Sequence, residues 1–182
     1  MNDLSLHIID IIQNSLSAGA TSITLVVEEN IPDDKLVIIL EDNGRGMSRE
    51  IADRLEDPFY TTRTTRRVGM GIPLFKQSAV QSGGGLTISS EVGKGTVVTA
   101  WFEYSNIDRP PLGDLANSFV LMVSANPDIH FVLRFLFNGS EYIFDSMEVA
   151  EVLGEISLSD VRVIRMLEEM IKENIKELKE GL

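Results

Sequence analysis

The chain has 182 residues, a formal net charge of −12, 43% hydrophobic and 24% charged residues, and no cysteine. That length and composition are typical of one globular domain, or of one domain with a small addition. The lack of cysteine excludes disulfides, thiolate nucleophiles and cysteine-ligated metal sites, and the acidic balance argues against nucleic-acid binding, which needs clustered basic residues.

The sequence indicates neither a secretory signal nor a membrane span. The first five residues lack a basic segment followed by an apolar run. No apolar stretch approaches the ~20 residues needed to cross a bilayer. We therefore expect a cytoplasmic protein without a membrane segment. In so acidic a chain, an anionic ligand must be held locally, by backbone amides or by a metal ion.

The first predicted elements are one helix and two strands. Apolar residues recur at helical spacing over residues 4–17, and Gly19 is expected to end that helix. Residues 22–29 and 35–41 are predicted to form strands that are joined by a turn around Pro32.

The middle of the chain alternates glycine-containing loops with helices. A loop at residues 42–47 follows the second strand, and a short helix is expected after Ser48. Residues 57–70 are polar, basic and threonine-rich without a period, which predicts a long loop. A helix is predicted for residues 71–82.

Two further strands, at 86–91 and 96–104, complete the first part of the chain. The order is helix, strand, strand, helix, helix, strand, strand. This order predicts an α+β fold in which helices cover one face of a mixed, mainly antiparallel sheet. We place the boundary of this first domain at residues 1–105.

Residues 108–113 have the composition of a linker, and residues 114–182 are predicted to form a small β-β-β-α-α subdomain. Asn138-Gly139 is a strong signal for a hairpin turn. The predicted strands and helices of this part are 118–125, 129–137, 141–145, 146–154 and 159–180.

The last predicted helix carries apolar residues three or four apart, which is the spacing of a packing seam. We expect Ser159 to cap its first turn. The seam has two interpretations. It packs on its own subdomain, or it contacts a partner or a second copy of the chain as a homodimer.

The chain has two histidines. His7 lies on the polar stripe of the first helix, and we expect it to be solvated. His130 lies between apolar residues of a predicted strand, where a structural role is expected. Neither lies on a helical hairpin ahead of the domain, so autophosphorylation on histidine is not expected.

Asp10 and Asn14 are four residues apart and therefore lie on one face of the first helix. One interpretation is a simply solvated face. The other is a functional pair in which Asn14 offers a neutral oxygen to Mg²⁺ while Asp10 polarises a water, since Mg²⁺ prefers oxygen ligands.

Two glycine-containing segments suit a nucleotide. Asp42 at a strand end can accept a hydrogen bond from an exocyclic amine, and Gly44 and Gly46 allow close approach of the backbone to a flat ring. Gly69 and Gly71, at the start of a helix, free backbone amides for phosphate. The alternatives are an ordinary Asx turn and a flexible hinge.

The order of these motifs resembles the GHKL superfamily of gyrase, Hsp90, histidine-kinase and MutL ATP-binding domains. The matching segments are DIIQNSLSAGAT at 10–21, DNGRGM at 42–47, DPFYTT at 57–62, GMG at 69–71 and GKGT at 93–96. The first is similar to the N-box in its mismatch-repair form, and residues 57–102 are similar to the histidine-kinase catalytic domain. The resemblance covers roughly residues 4–104.

The resemblance implies a Bergerat-type α/β sandwich that binds ATP and Mg²⁺. It implies that Asn14 coordinates the Mg²⁺, that Asp42 binds the adenine amine, and that Thr96 holds a water shared with Asp42. Residues 57–70 would form the lid over the ATP. The other nucleotide contacts that it implies are Gly44, Gly46, Met47, Phe59, Gly69, Met70 and Gly71.

The resemblance places Asp10 at the catalytic position, where hydrolysing members usually carry glutamate. Asp is one methylene shorter, which moves a positioned water by about an ångström and can cost roughly 10²-fold in rate. We therefore expect poor hydrolysis by the isolated chain, whereas phosphate transfer remains compatible with Asp10.

Three functions remain open at this point. The chain is a kinase that phosphorylates a partner protein, an ATP-driven conformational switch with slow hydrolysis, or an ATP sensor without catalysis. The kinase-like segments after residue 57 favour the first, and the mismatch-repair-like N-box favours the second.

Overall fold

A computed structural model describes residues 3–56 and 71–181. The predicted loop at 57–70 lies outside these ranges. In chain order the helices and strands are α1 (Leu4–Ser17), β1 (Ser22–Asn30), β2 (Lys35–Asp42), α2 (Arg49–Glu56), α3 (Gly71–Gln81), β3 (Gly85–Glu91), β4 (Gly95–Glu103), α4 (Leu115–Ala125), β5 (His130–Phe137), β6 (Ser140–Asp145), α5 (Ser146–Leu153) and α6 (Val161–Glu180).

The strands form one six-stranded sheet in the order β3-β4-β2-β1-β5-β6. All neighbouring pairs are antiparallel except β1 and β5, which run parallel. The predicted α+β fold with a mixed, mainly antiparallel sheet is therefore confirmed. In the register of β2 and β4, Asp42 lies directly opposite Thr96, which brings together the two strand ends that the site uses.

One face of the sheet carries the core. Side chains alternate along β1, where every second residue is buried and the others are only partly buried. Because successive side chains of a strand point to opposite faces, the buried set lies on one face. Helices α1, α3, α4 and α6 pack against each other and against the strands on that side.

Helix α1 has the predicted bounds of 4–17. The Asp3 side chain caps it by accepting a hydrogen bond from the Leu6 N–H. Its apolar stripe is buried by at least 97%, at Leu4, Ile8, Ile11 and Ile12. Asn14, on the same helix, is half-buried and lines a cavity together with Asp42 at the end of β2. Helix α1 therefore links the core to the candidate site.

The predicted strand at 118–125 is wrong, because this segment is the body of helix α4. A short apolar run is ambiguous between strand and helix. The buried residues recur at helical spacing, at Leu115, Ala116, Phe119, Val120 and Val123. Asp114 caps the helix by accepting from the Asn117 N–H. The C-terminal part therefore has the order α-β-β-α-α.

Strands β5 and β6 and helices α5 and α6 confirm the other elements predicted after residue 129. Asn138 and Gly139 both have positive φ, as a two-residue hairpin turn requires. Strand β5 pairs with β1 over residues 22–29, so both parts of the chain contribute to one sheet. The division at 105/114 stays a sequence-based prediction.

The seam of helix α6 packs on this chain's own core. Val163, Leu167 and Ile171 are at most 5% exposed, and the helix contacts α4, β5 and β6. Its cap is Asp160, which accepts from the Arg162 N–H, rather than the predicted Ser159. The seam thus follows the first of the two interpretations.

The expectation that His7 is solvated is wrong. His7 is 3% exposed, and its ring stacks on Phe75 of α3 with centroids 5.0 Å apart. The side chain is buried because α3 crosses the stripe of α1 that carries it. By contrast His130 is only partly buried, and its Nε2 lies 2.9 Å from the Asp145 carboxylate.

None of the helices in residues 3–56 and 71–181 combines the length and the apolar composition that a membrane crossing requires.

Burial lowers the pKa of His7 below 6.5, although Asp10 and Asp3 raise it in part. Below that pH the unfolded chain binds a proton that the folded chain does not. The free energy of unfolding should therefore fall as the pH drops below 6.5. Replacing His7 with Phe keeps a stacked ring and removes this titration. We expect His7→Phe to lose less stability than the parent between pH 7.5 and about pH 5 in urea unfolding. Equal losses of stability in the variant and the parent would show that this pH dependence does not come from His7.

Candidate functional site

The carboxylate of Asp42 is fixed at the end of strand β2. Its side chain is buried, with 8% exposure for the residue. The Ser15 hydroxyl donates to Oδ2 at 2.6 Å, and the Gly44 N–H donates to Oδ1 at 2.8 Å. Each carboxylate oxygen accepts more than one hydrogen bond, so capacity remains for a donor that approaches from the cavity.

Ser15 was not identified from the sequence as a site residue. It is buried on α1, one position after Asn14, and its hydroxyl orients the Asp42 carboxylate. A signal was available, since a polar residue at a core-facing position of an amphipathic helix requires a partner. The bond from Gly44 is that of an Asx turn, so the Asx-turn interpretation also applies to this loop.

The Asn43 side chain connects the 42–47 turn to the start of β1 through hydrogen bonds. Its Oδ1 accepts from the N–H groups of Thr21 and Ser22, at 2.8 and 2.9 Å. Its Nδ2 donates to the Thr21 hydroxyl at 2.9 Å. Asn43 could not be assigned a role from the sequence, because its partners lie more than twenty residues away along the chain and no spacing rule connects them.

Two glycines allow the 42–47 turn to meet the β3–β4 turn backbone to backbone. A Cβ on Gly46 would lie 2.0 Å from the Glu91 carbonyl oxygen. A Cβ on Gly95 would lie 1.9 Å from the Asp42 carbonyl oxygen. Both residues have positive φ, which glycine alone adopts without cost. The glycines of these motifs therefore serve the packing of the two turns.

Ser90 of β3 joins the same two turns through its hydroxyl. The Met47 N–H donates to the Ser90 Oγ at 2.8 Å. The Ser90 Oγ lies 2.9 Å from both the Gly95 carbonyl oxygen and the Thr96 Oγ1. Ser90 thus sets the position of Thr96, and no motif in the sequence indicated it.

A cavity of about 130 Å³ opens beside Asp42, between α1 and the two turns. Five of the sequence-predicted site residues line it, namely Asn14, Asp42, Gly46, Met47 and Thr96. Its apolar lining comes from Ile11, Leu55, Ile72 and Val98. Apolar walls with a few convergent polar groups are typical of small-molecule sites. Gly44 lies behind this wall, where a Cβ would approach Ala18 and the Asp42 carboxylate to 3.0 Å.

Asp10 does not line the cavity. It lies one turn before Asn14 on α1 and faces the first residue of α3, since a Cβ on Gly71 would come within 2.9 Å of the Asp10 Cβ. Gly71 therefore permits the close approach of the two helices. The predicted contacts at Phe59, Gly69 and Met70 and the predicted lid lie outside the described residues.

The Asn14 side chain suits a metal ion whose other ligands are not protein side chains. The residue is half-buried and lines the cavity. Within the described residues no cluster of three or more His, Asp or Glu side chains could enclose a metal ion. Mg²⁺ usually retains waters and substrate phosphates beside one or two protein ligands, so a single amide oxygen is compatible with it.

Comparison with known proteins places these residues in a family context. The family model described as "Histidine kinase-, DNA gyrase B-, and HSP90-like ATPase" matches residues 2–106. Sporulation kinase D of Bacillus subtilis is 33% identical over 92 residues, which are 50% of this chain and 18% of that protein. Sensor histidine kinase ZraS of Salmonella typhi is 28% identical over 89 residues, which are 48% of this chain and 19% of that protein.

Among solved structures, the N-terminal domain of a DNA repair protein superposes with a TM-score of 0.54 at 16% identity. The superposition covers 79% of this chain and 52% of that chain. At this identity the likeness shows the fold alone. The matched segments span less than a fifth of each of the two curated relatives.

Gly95 and Gly93 offer a matched pair for testing the contact between the turns. Both have positive φ, but a Cβ on Gly93 meets nothing within 4 Å. Gly95→Ala combines a backbone clash with a φ of 124°, whereas Gly93→Ala meets only the strain of its φ of 81°. Overpacking of this kind costs about 1–3 kcal/mol. We expect Gly95→Ala to lower the free energy of unfolding by about 2 kcal/mol more than Gly93→Ala, measured in urea. Equal effects would show that the turns separate readily.

Proposed function

The chain belongs to the family of histidine kinase-, DNA gyrase B- and HSP90-like ATPases, and from this we propose that it is a cytoplasmic signalling domain that binds MgATP beside Asp42 and transfers the γ-phosphate to a partner protein. The observation that carries the proposal is the oriented Asp42 carboxylate, held by Ser15 and Gly44 at the wall of an apolar cavity. Two relatives with kinase names support the transfer step.

Adenine recognition rests on Asp42 and Thr96. The carboxylate can accept a hydrogen bond from the exocyclic amine, and Thr96 lies opposite it in the β2–β4 register. The Thr96 hydroxyl is fixed by Ser90 at 2.9 Å. A site whose buried polar groups are pre-oriented discriminates strongly against a base that leaves them unpaired. This arrangement favours adenine over a base with a carbonyl at that position.

Phosphate binding rests on Asn14 and on the start of helix α3. Helix N-termini attract anions through free N–H groups and the helix dipole, and α3 begins at Gly71, against α1. A Mg²⁺ bound at Asn14 would neutralise phosphate charge. The acidic chain itself does not offer the positive charge that this requires. Gly69 and Met70 are proposed as further phosphate contacts.

Asp10 is proposed as the residue that polarises the attacking group. Its place beside Gly71, where we propose that the phosphates bind, supports this role. Asp is one methylene shorter than the glutamate usual in hydrolysing members, and a misplacement of about an ångström can cost roughly 10²-fold in rate, so we favour phosphate transfer over hydrolysis. The acceptor would then lie on the partner protein.

A conformational switch with slow hydrolysis is the second candidate. The observation that favours it is the segment at 10–21, which is similar to the N-box of mismatch-repair ATPases. The third candidate, an ATP sensor without catalysis, needs the same binding site and no transfer step.

The binding site can be tested by titration calorimetry with MgATP. Asp42→Ala removes the acceptor for the adenine amine. A hydrogen bond to a charged group contributes about 1.5–3 kcal/mol, so we expect a loss of roughly 10- to 100-fold in affinity. Glu41→Ala is the matched control, because Glu41 is the neighbouring carboxylate and is exposed. Equal affinities of Asp42→Ala and the parent would contradict the site.

The metal ligand can be tested in the same assay with and without Mg²⁺. We expect Asn14→Ala to remove most of the Mg²⁺-dependent gain in ATP affinity and to leave affinity without Mg²⁺ unchanged, since the amide oxygen acts only through the ion. Gln13→Ala is the control on the same helix turn, at an exposed position. A Mg²⁺ effect that survives in Asn14→Ala would place the metal elsewhere.

Incubation with γ-labelled ATP distinguishes the three functions. Label on a partner protein from the source cell supports a kinase, and released phosphate without labelled protein supports the switch. Tight binding with neither product supports a sensor. We expect labelled partner and slow phosphate release, because Asp10 replaces the longer glutamate.

A further inference from the structure

The face of the sheet opposite the core is accessible to a partner. We call it the open face, and it consists of every second residue in the ranges 24–28, 37–41, 87–89, 97–101, 132–136 and 141–145. These residues share a face because paired residues of neighbouring strands point to the same side. None of their side chains is fully buried, and Ile143 on the outer strand β6 is 55% exposed.

The centre of the open face is apolar. Val26 of β1 lies opposite Ile39 of β2, and Val37 of β2 lies opposite Trp101 of β4. The same apolar patch continues on the other strands with Val97, Val132, Leu136 and Ile143. A solvated face of an antiparallel sheet normally carries polar residues. Strand β2 instead has five consecutive apolar residues at 36–40, which is typical of strands covered on both faces.

Two carboxylates border the apolar patch without an ion-pair partner among the described residues, namely Glu28 and Glu41. Glu28 lies opposite Val37, and Glu41 lies opposite Val97. The other charged side chains of the open face are paired, Arg134 with Glu141 and Asp145 with His130. The unpaired charge of this face is therefore negative. This disfavours the stacking of two copies and favours a basic partner.

The patch has the dimensions of one helix. It crosses β4, β2, β1 and β5, which is about 14 Å at ~4.8 Å per strand, and a helix with its side chains is about 10–12 Å wide. Thr24 lies opposite Glu41 and four residues before Glu28, so the two glutamates are about 13 Å apart along the strands. Basic residues seven apart on a helix are about 10.5 Å apart, and long flexible lysine side chains span the difference.

We propose that the open face is a docking surface for a basic amphipathic helix of a partner protein. The apolar side of this helix packs on Val26, Ile39 and Trp101, and its lysine or arginine side chains lie beside Glu28 and Glu41. The complex would have helices on both faces of the sheet, which is a common layered arrangement. The proposal does not depend on ATP binding.

Trp101 provides a readout at the site, because it is the single tryptophan of the chain. The full chain is titrated with a peptide of leucine and lysine whose helix has one apolar side. We expect saturable binding that shifts the Trp101 emission to shorter wavelength and reduces its quenching by acrylamide. A peptide with glutamate in place of lysine should bind much more weakly. An unchanged Trp101 emission, or equal affinity for the two peptides, would overturn the proposal.

A matched pair of valine variants locates the peptide. Val26→Thr keeps nearly the same side-chain volume and places a hydroxyl under the apolar side of the helix, so we expect at least about fivefold weaker binding. Val92→Thr makes the same change in the turn between β3 and β4, where the residue is 68% exposed and outside the open face. It should leave the affinity unchanged, and equal effects of the two variants would place the peptide elsewhere.

The acidic pair is tested by neutralisation. Glu28→Gln combined with Glu41→Gln should weaken binding of the leucine–lysine peptide roughly fivefold. The control combines Glu155→Gln with Glu177→Gln, at exposed positions outside the sheet, and should bind like the parent. Equal effects of the two double variants would contradict the role of Glu28 and Glu41. Shielding of Trp101 that rises with protein concentration in the absence of peptide would show that a second copy covers the face, and would overturn its assignment to a partner helix.

Discussion

The candidate site depends on one close contact between two turns. The 42–47 turn and the turn between β3 and β4 touch through their backbones, at positions where Gly46 and Gly95 leave no room for a Cβ. This contact places Asp42 and Thr96 side by side at the mouth of one cavity. The Ser90 hydroxyl accepts a hydrogen bond from the Met47 N–H and donates one to the Gly95 carbonyl oxygen, and these two bonds fix the separation of the turns.

The order and type of most elements could be predicted from the sequence, because α1 and the strands have clear periods of 3.6 and 2. Helix α4 was missed because residues 118–125 form a short apolar run, in which periodicity does not separate a buried helix from a buried strand. The burial of His7 was also missed, because it depends on where α3 crosses α1. The spacing of residues along one helix does not predict how two helices cross.

Those residues of the candidate site that belong to sequence motifs could be predicted. Asn14, Asp42 and Thr96 line one cavity, although they lie up to 82 positions apart in the sequence. The residues that orient them, Ser15, Asn43 and Ser90, could not be found in this way. Their importance comes from hydrogen bonds to distant backbone and side-chain groups, and such pairings follow only from the folded chain.

The parallel pairing of β5 with β1 has a consequence for how the chain can be divided. Over residues 22–29 it covers the side of β1 that faces away from β2. A fragment that ended at residue 105 would keep every motif of the ATP-binding family named above, yet β1 would become an outer strand with a free row of N–H and C=O groups. Such unprotected edges recruit other strands and lead to aggregation, so the last third of the chain acts as a built-in cover for the ATPase-like sheet.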